Sequence, residues 1–436
     1  MSLRRRTFGN AAANIVGVGL TGAAQLATIP ILTTVWGPER FGTWLMLATI
    51  PTWFALSDLG FGSVAMAEMI AANARHDRDR AVSAFQSVLL LTAIVSTAAV
   101  LLAVPLLFAA HLPLVPGWVA LHGPVMFVLV GYAAAAVISR LVLTALRSSG
   151  FYASSTVVYE IGSCCESMAM LAAAAWGLGF FGCAVVLLLC RSAIVLMLAL
   201  LLARRVPELR IGLARASVSE LRRMLPAAIA TTAFPTAFAV NIQGMTLVTG
   251  ALLSPLAVAV LEPVRTASRV AIQITGAMNR ATMPEFATAA ARHDSTALRK
   301  ILAINGGIVV VFMLPGSIAF ALLGGTFVGA WTGGRVVPGA DFVGLMAAAM
   351  FVHGLWHFAA NLLLSVNAHL GFARVLIASA IVSVAAAAPA ASCFGLDGIA
   401  ATILASEVMC LAGVCHAGLR SGLGAIRAPA RIASAT

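Results

Sequence analysis

The chain has 436 residues, 61% of them hydrophobic and only 10% charged, with 27 Lys and Arg against 15 Asp and Glu and a formal net charge of +12. A soluble chain carries about 25% charge, so the polar surface needed to cover two or three water-soluble domains is missing. The cationic balance does not indicate a nucleic-acid binder either, because the cations lie between hydrophobic runs and never along one soluble face.

No Asp, Glu, Lys or Arg occurs from residue 7 to 38, nor from 81 to 139. One membrane helix takes about 20 residues, so the second run holds two. The turn between them is the cluster His111, Pro113, Pro116 and Gly117. Read in this way, the chain has twelve spans: 10–35, 42–72, 82–109, 121–146, 152–175, 180–203, 224–249, 254–279, 301–323, 339–366, 373–393 and 396–418. Helices are preferred over a membrane barrel because the apolar stretches are continuous rather than alternating. The first run is a full span, longer than the apolar core of about 7 to 15 residues in a secretory signal. The seven cysteines form no Cys-x-x-Cys pair and nearly all fall inside spans, which supports neither a disulfide framework nor a zinc site. The fold class that follows is an all-α integral membrane protein.

Loop charge orients it. With the N-terminus inside, 21 of the 27 Lys and Arg face the cytoplasm, while outside loops receive only Arg40 and Arg335 and the other four lie within spans. That bias is the positive-inside rule, and it places both termini in the cytoplasm. The tetrapeptide Ala-Arg-His-Asp occurs at 74–77 and again at 291–294, 217 residues apart, each time in a cytoplasmic loop after the second helix of a six-helix half. A parallel duplication is implied, with its pseudo-two-fold axis along the membrane normal. The predicted organisation is a six-helix lobe over 1–203, a basic cytoplasmic linker over 204–223, a second lobe over 224–418 and a cytoplasmic tail over 419–436. Val218 to Leu225 reads as an amphipathic segment fit to lie on the inner leaflet.

Phe41-Gly42-Thr43-Trp44 and Ser57-Asp58-Leu59-Gly60-Phe61-Gly62 resemble the start of the polysaccharide biosynthesis transporters, the O-antigen and exopolysaccharide flippases. Leu146-Arg147-Ser148-Ser149-Gly150, Pro284, Trp331-Thr332-Gly333-Gly334 and Gly395-Leu396-Asp397-Gly398 extend the resemblance over nearly the whole chain, in the order and topological positions of the multidrug, oligosaccharidyl-lipid and polysaccharide exporter (MOP) superfamily. The resemblance implies two six-helix lobes in the bacterial inner membrane. It also implies that they move a lipid-linked oligosaccharide, on a carrier such as undecaprenyl diphosphate, to the outer leaflet by alternating access. Glycosyltransferases and a polymerase of the same pathway are the implied partners; no cofactor, enzyme activity or nucleic acid is. Many relatives carry a Tyr early in span eight, where this chain has Leu261-Glu262-Pro263.

Ionisable groups at membrane depth face a cavity or a partner. Glu262, Arg265 and Arg269 in span eight stand at i, i+3 and i+7, on one helix face. They read either as a cationic wall for a lipid diphosphate or as an arginine neutralised by its own glutamate. Arg191 has no acid within a helical turn and needs a partner across the bundle or in the cargo. Arg140 is near enough to the inner end of span four to snorkel, or to contact cargo. Asp58, Glu160, Glu166 and Glu407 are candidates for charge pairing or for binding a coupling ion, with a hinge role for Asp58 beside its glycines. Arg265, Arg269 and Arg191 are expected to face one central cavity.

His353 and His357 share a helix face and are expected to line a cavity rather than bind metal, since no general-base Glu follows His353. Gly17-Val18-Gly19-Leu20-Thr21-Gly22 matches a dinucleotide pattern but lies within a span, where small residues serve helix packing. Asp77-Arg78-Asp79 reads as a solvated loop. Two alternatives to the flippase stay open: an ion-coupled multidrug or cation antiporter of the same superfamily, which needs an acidic or aromatic cavity, and a membrane polymerase or ligase, for which the outer loops are too short.

Overall fold

The computed structural model describes residues 3–111, 117–292, 294–365 and 370–420. These are helical almost throughout: α1 Leu3–Leu47, α2 Thr49–Ala55, α3 Phe61–Ala74, α4 Arg78–Ala103, α5 Gly117–Ser148, α6 Tyr152–Ala175, α7 Phe180–Arg205, α8 Val218–Leu252, α9 Pro255–Ala291, α10 Ser295–Trp331, α11 Ala340–Ser365 and α12 Leu370–Arg420, with 3-10 turns at Leu56–Asp58 and Val104–His111. The chain forms two compact units, Met1–Thr232 and Ala233–Thr436, and the division falls within α8. Of the predicted turn between spans three and four, Pro113 and Pro116 lie outside the described residues, as does His293 of the second tetrapeptide.

Two of these helices are double. Gly37 (φ 75°, ψ 164°) breaks α1 and Gly395 (φ 59°, ψ −134°) breaks α12, both in conformations that a Cβ disfavours. With α1 and α12 divided there and 38–74 taken as one interrupted rod, the described helices make twelve rods, six in 3–205 and six in 218–420. Among the described residues, eight helices are individually long and apolar enough to cross a membrane, or nine if Gly19–Asp58 and Phe61–Ala74, bent by 43°, count as one span. α9 is not among them, because its polar face interrupts the apolar run. The protein is therefore a multi-pass, all-helical membrane protein. Its outer surface agrees: Leu102 is 80% exposed, Leu322 75% and Phe394 72%. In water each such side chain would forgo roughly 1.5–3 kcal/mol of burial, whereas lipid tails solvate it.

Span two, read as continuous, is interrupted. Leu59 (φ 47°) and Gly60 (φ 78°) are left-handed, and Asp58 Oδ1 accepts from the Gly60 N–H at 2.8 Å. The aspartate closes the turn that the Asp-Leu-Gly sequence makes.

The repeated tetrapeptide performs the same local task in each unit. Asp77 Oδ1 accepts from Arg80 N at 3.0 Å and caps α4, and Asp294 Oδ1 accepts from Ala297 N at 2.9 Å and caps α10. Each aspartate also donates its own N–H back to the preceding helix, to Ala72 O at 2.9 Å and Ala289 O at 3.0 Å. The motif is a helix-to-helix corner.

The linker is tied to α4. Gln86 Nε2 donates to Arg210 O at 3.0 Å, Arg215 N donates to Gln86 Oε1 at 2.7 Å and Ser217 N donates to Ser87 Oγ at 2.9 Å, while the Arg215 side chain pairs with Asp79. Val218 to Leu225, read as an amphipathic segment, does not form a helix of its own. Those residues are the first turns of α8, with Met224 buried in the first unit's core beside Phe61, Phe85 and Leu198, and Arg223 held by Glu68 at 3.0 Å. An apolar stripe eight residues long looks alike whether it faces lipid or a neighbouring helix.

Candidate functional site

The second unit encloses a cavity of about 420 Å³ between α8, α9, α11 and α12. It gathers Arg265, Arg269, His353, His357 and Glu407, five residues singled out from the sequence, with Asn241, Gln273 and Trp356.

Ser254 opens α9 as its N-cap, with its hydroxyl accepting from Ala257 N at 3.1 Å, and Pro255 follows at the first helical position. Arg265, 7% exposed, is held within its own unit: Nη1 donates to Ile242 O at 2.8 Å, Nη2 donates to Thr246 Oγ1 at 2.7 Å, and Nη2 also pairs with Glu262. Thr246 in turn donates to Glu262 Oε1 at 2.8 Å. The local pairing is therefore the one formed, and Glu262 stands behind the cavity wall as the partner of Arg265. Arg269, one turn on and half-buried, lines the cavity and has no hydrogen bond or ion pair among the described residues.

Across the cavity, Glu407 Oε2 accepts from Trp356 Nε1 at 2.5 Å and meets His353 Nδ1 at 3.0 Å. His353 stacks on His357 with ring centroids 5.5 Å apart, and Phe238 stacks on Trp356 at 6.2 Å. The wall is thus not purely cationic. Arg269 offers a planar fork to an anion, Glu407 offers a carboxylate beside an imidazole, and the rings offer flat apolar faces.

The remaining candidates belong to the first unit. Arg191 has found its partner across helices: Nη2 meets Glu166 Oε1 at 2.7 Å, with Arg191 5% and Glu166 3% exposed. Tyr132 donates its hydroxyl to the same oxygen at 2.8 Å, and the rings of Tyr132 and Tyr159 each lie 5.5 Å from the guanidinium carbon. The expectation that Arg191 faces a cargo cavity is corrected accordingly, because its charge is already matched by a buried carboxylate. Glu160 accepts from Thr21 Oγ1 at 3.2 Å and lies so close to α1 that a Cβ on Gly17 would meet its Cγ at 2.7 Å. Of the glycine pattern in span one, Gly17 is a packing position, whereas a Cβ on Gly19 or Gly22 would meet nothing within 4 Å among the described residues. Arg140 is exposed.

Sequence reading missed Trp356, Tyr132 and Asn241. Each is one of many polar or aromatic groups in apolar runs, and only helix rotation turns it inward. Among the described residues no three His, Cys, Asp or Glu side chains are grouped as a metal site.

No family model and no curated protein matches the sequence. Solved structures do match. One is the inward-facing conformation of a multidrug resistance MATE family transporter of the MOP superfamily, with TM-score 0.75 and 16% identity, covering 93% of this chain and 96% of that one. A second is described as the outward-facing conformation of such a transporter, with TM-score 0.57 and 15% identity, covering 97% and 96%. A third is a MOP superfamily transporter from Pyrococcus furiosus whose binding pocket is described as having reverse polarity, suggesting a different function, with TM-score 0.63 and 14% identity, covering 97% and 96%. The chain has the fold of these transporters.

Proposed function

We propose that this protein is an alternating-access transporter of the bacterial inner membrane, with both termini cytoplasmic, that flips a lipid-linked oligosaccharide for surface polysaccharide synthesis. The observation that carries the reading is Arg269, a cation without a partner among the described residues, in a cavity between helices beside an arginine already neutralised by Glu262. An arginine at the centre of a span costs roughly 2.5–3.5 kcal/mol on insertion scales, so it is kept for a partner or for water. A diphosphate supplies that partner through a bidentate contact. Asn241, Gln273 and the aromatic faces suit sugar hydroxyls and ring faces. Structures of this fold described in inward- and outward-facing conformations support alternating access.

A second reading, a multidrug or cation antiporter, is favoured by one feature: the carboxylate of Glu407 within a box of Trp356, Phe238 and His353. That is the acidic, aromatic lining a cationic drug requires.

Proteoliposomes separate the two. With a fluorescent lipid-linked oligosaccharide, the flippase reading expects translocation that Arg269→Ala abolishes. If lipid flipping is absent while proton-driven efflux of an aromatic cation proceeds and is lost in Glu407→Gln, the antiporter reading replaces it.

A further inference from the structure

The first unit holds a second cavity, of about 590 Å³, whose lining includes Asn73, Arg78, Ser149, Gly150, Arg205 and Glu208. We propose that it is a binding site for the phosphate-bearing headgroup of an anionic glycerophospholipid. The inference does not depend on what the protein transports.

Three chain corners build the cleft. They are the corner from the end of α3 into the first turns of α4, the turn from α5 to α6, and the end of α7 with the residues that follow it. Asn73 Nδ2 donates to Ser148 O at 3.1 Å and ties the first corner to the second. The second is held by Phe151 N donating to Leu146 O at 3.1 Å, with Gly150 at φ 92°. Loop charge puts all three corners at the cytoplasmic headgroup level, where each basic residue near the surface favours anionic lipid.

The neighbouring cations sort by whether they are already engaged. Arg80 and Arg223 share Glu68, Arg215 pairs with Asp79, and Arg147 donates to Thr156 Oγ1 at 3.1 Å. The two arginines that line the cleft are held weakly among the described residues. Arg78 meets Glu208 at 3.5 Å, with the two side chains 75% and 47% exposed. An open pair of that kind contributes little, and a phosphate can displace it. Arg205 has only the face of Phe151, at 5.7 Å, among the described residues. Both can turn a planar fork towards one phosphate, and Asn73 keeps a second amide N–H. Arg75, Arg204 and Arg210 lie close by in sequence, exposed and without an ion pair among the described residues, and they deepen the positive field around Glu208. The volume exceeds what a bare phosphate fills and leaves room for its glycerol ester.

The test uses the full-length protein in nanodiscs of phosphatidylcholine doped with phosphatidylglycerol, read by native mass spectrometry. One retained phosphatidylglycerol per chain is expected. Arg78→Ala with Arg205→Ala should weaken its retention about thirtyfold, roughly fivefold for each arginine. Arg204→Ala with Arg210→Ala, which removes equal charge outside the cleft lining, should change retention by less than about threefold, as expected for exposed, screened charge. Glu208→Gln should strengthen retention, a gain that misfolding cannot mimic. Equal losses in the two double variants would overturn the site in favour of diffuse surface charge. Unchanged or weaker retention in Glu208→Gln would also overturn it. Displacement of the lipid by equimolar inorganic phosphate would reassign the cleft to free phosphate and overturn the lipid assignment.

Discussion

Replacing Arg191 with alanine removes one half of a buried pair in the first unit and leaves Glu166, 3% exposed, with the phenol of Tyr132 as its remaining donor among the described residues. Breaking a buried pair from one side costs about 3–5 kcal/mol, because the uncompensated charge stays behind. A folding unit of this size loses roughly 2–4 °C of melting temperature per kcal/mol, so a fall of about 6–20 °C is expected for Arg191→Ala in detergent. The arrangement also predicts how the loss is undone. Arg191→Met with Glu166→Gln removes both charges, keeps an oxygen to accept from Tyr132 and keeps an apolar stem between the rings of Tyr132 and Tyr159. That double variant should recover most of the lost stability, since a well-packed neutral replacement of a buried pair is often no less stable. The assay is a thermal melt of the monodisperse fraction by fluorescence-detected size exclusion, over the full cycle of wild type, two single variants and the double. A single Arg191→Ala variant that melts within about 2 °C of wild type while losing transport would refute the reasoning and return Arg191 to the cargo.

Arg269→Ala should melt like wild type but lose lipid-linked oligosaccharide flipping, and Arg269→Lys should keep part of it, because the charge remains without the planar fork; full transport by the alanine variant would eliminate the contact. Gly398→Ala would place a Cβ 2.1 Å from Ala390 O, so a loss of about 1–3 kcal/mol or more is expected in a thermal melt. Gly371→Ala, where nothing lies within 4 Å, should be neutral or slightly stabilising, and equal effects of the two would contradict the packing described. A green fluorescent protein fused after Thr436 should fluoresce and an alkaline phosphatase there should be inactive; the reverse pattern would invert the topology.

What the sequence settled by itself is local. Span length and loop charge depend only on neighbouring residues, and they were enough to count twelve spans. The corners were only half legible: Asp77-Arg78-Asp79 reads as a solvated loop, whereas Asp77 caps α4 and Arg78 and Asp79 form its first turn, as Asp294 caps α10 in the second unit. The Glu262–Arg265 pair was legible as an i, i+3 contact on one helix. Helix rotation was decided by tertiary packing alone. Arg191 and Glu166 are 25 residues apart, and His353 and Glu407 are 54 apart. Nothing in an apolar run states which of its faces meets which neighbour. In lipid that ambiguity is sharper than in water, since Leu and Val are as comfortable outward as inward and no apolar stripe marks the core. The buried polar contacts, which form only when two particular faces meet, are therefore where structure had to speak, and they left Arg269 as the arginine facing the cavity without a partner among the described residues.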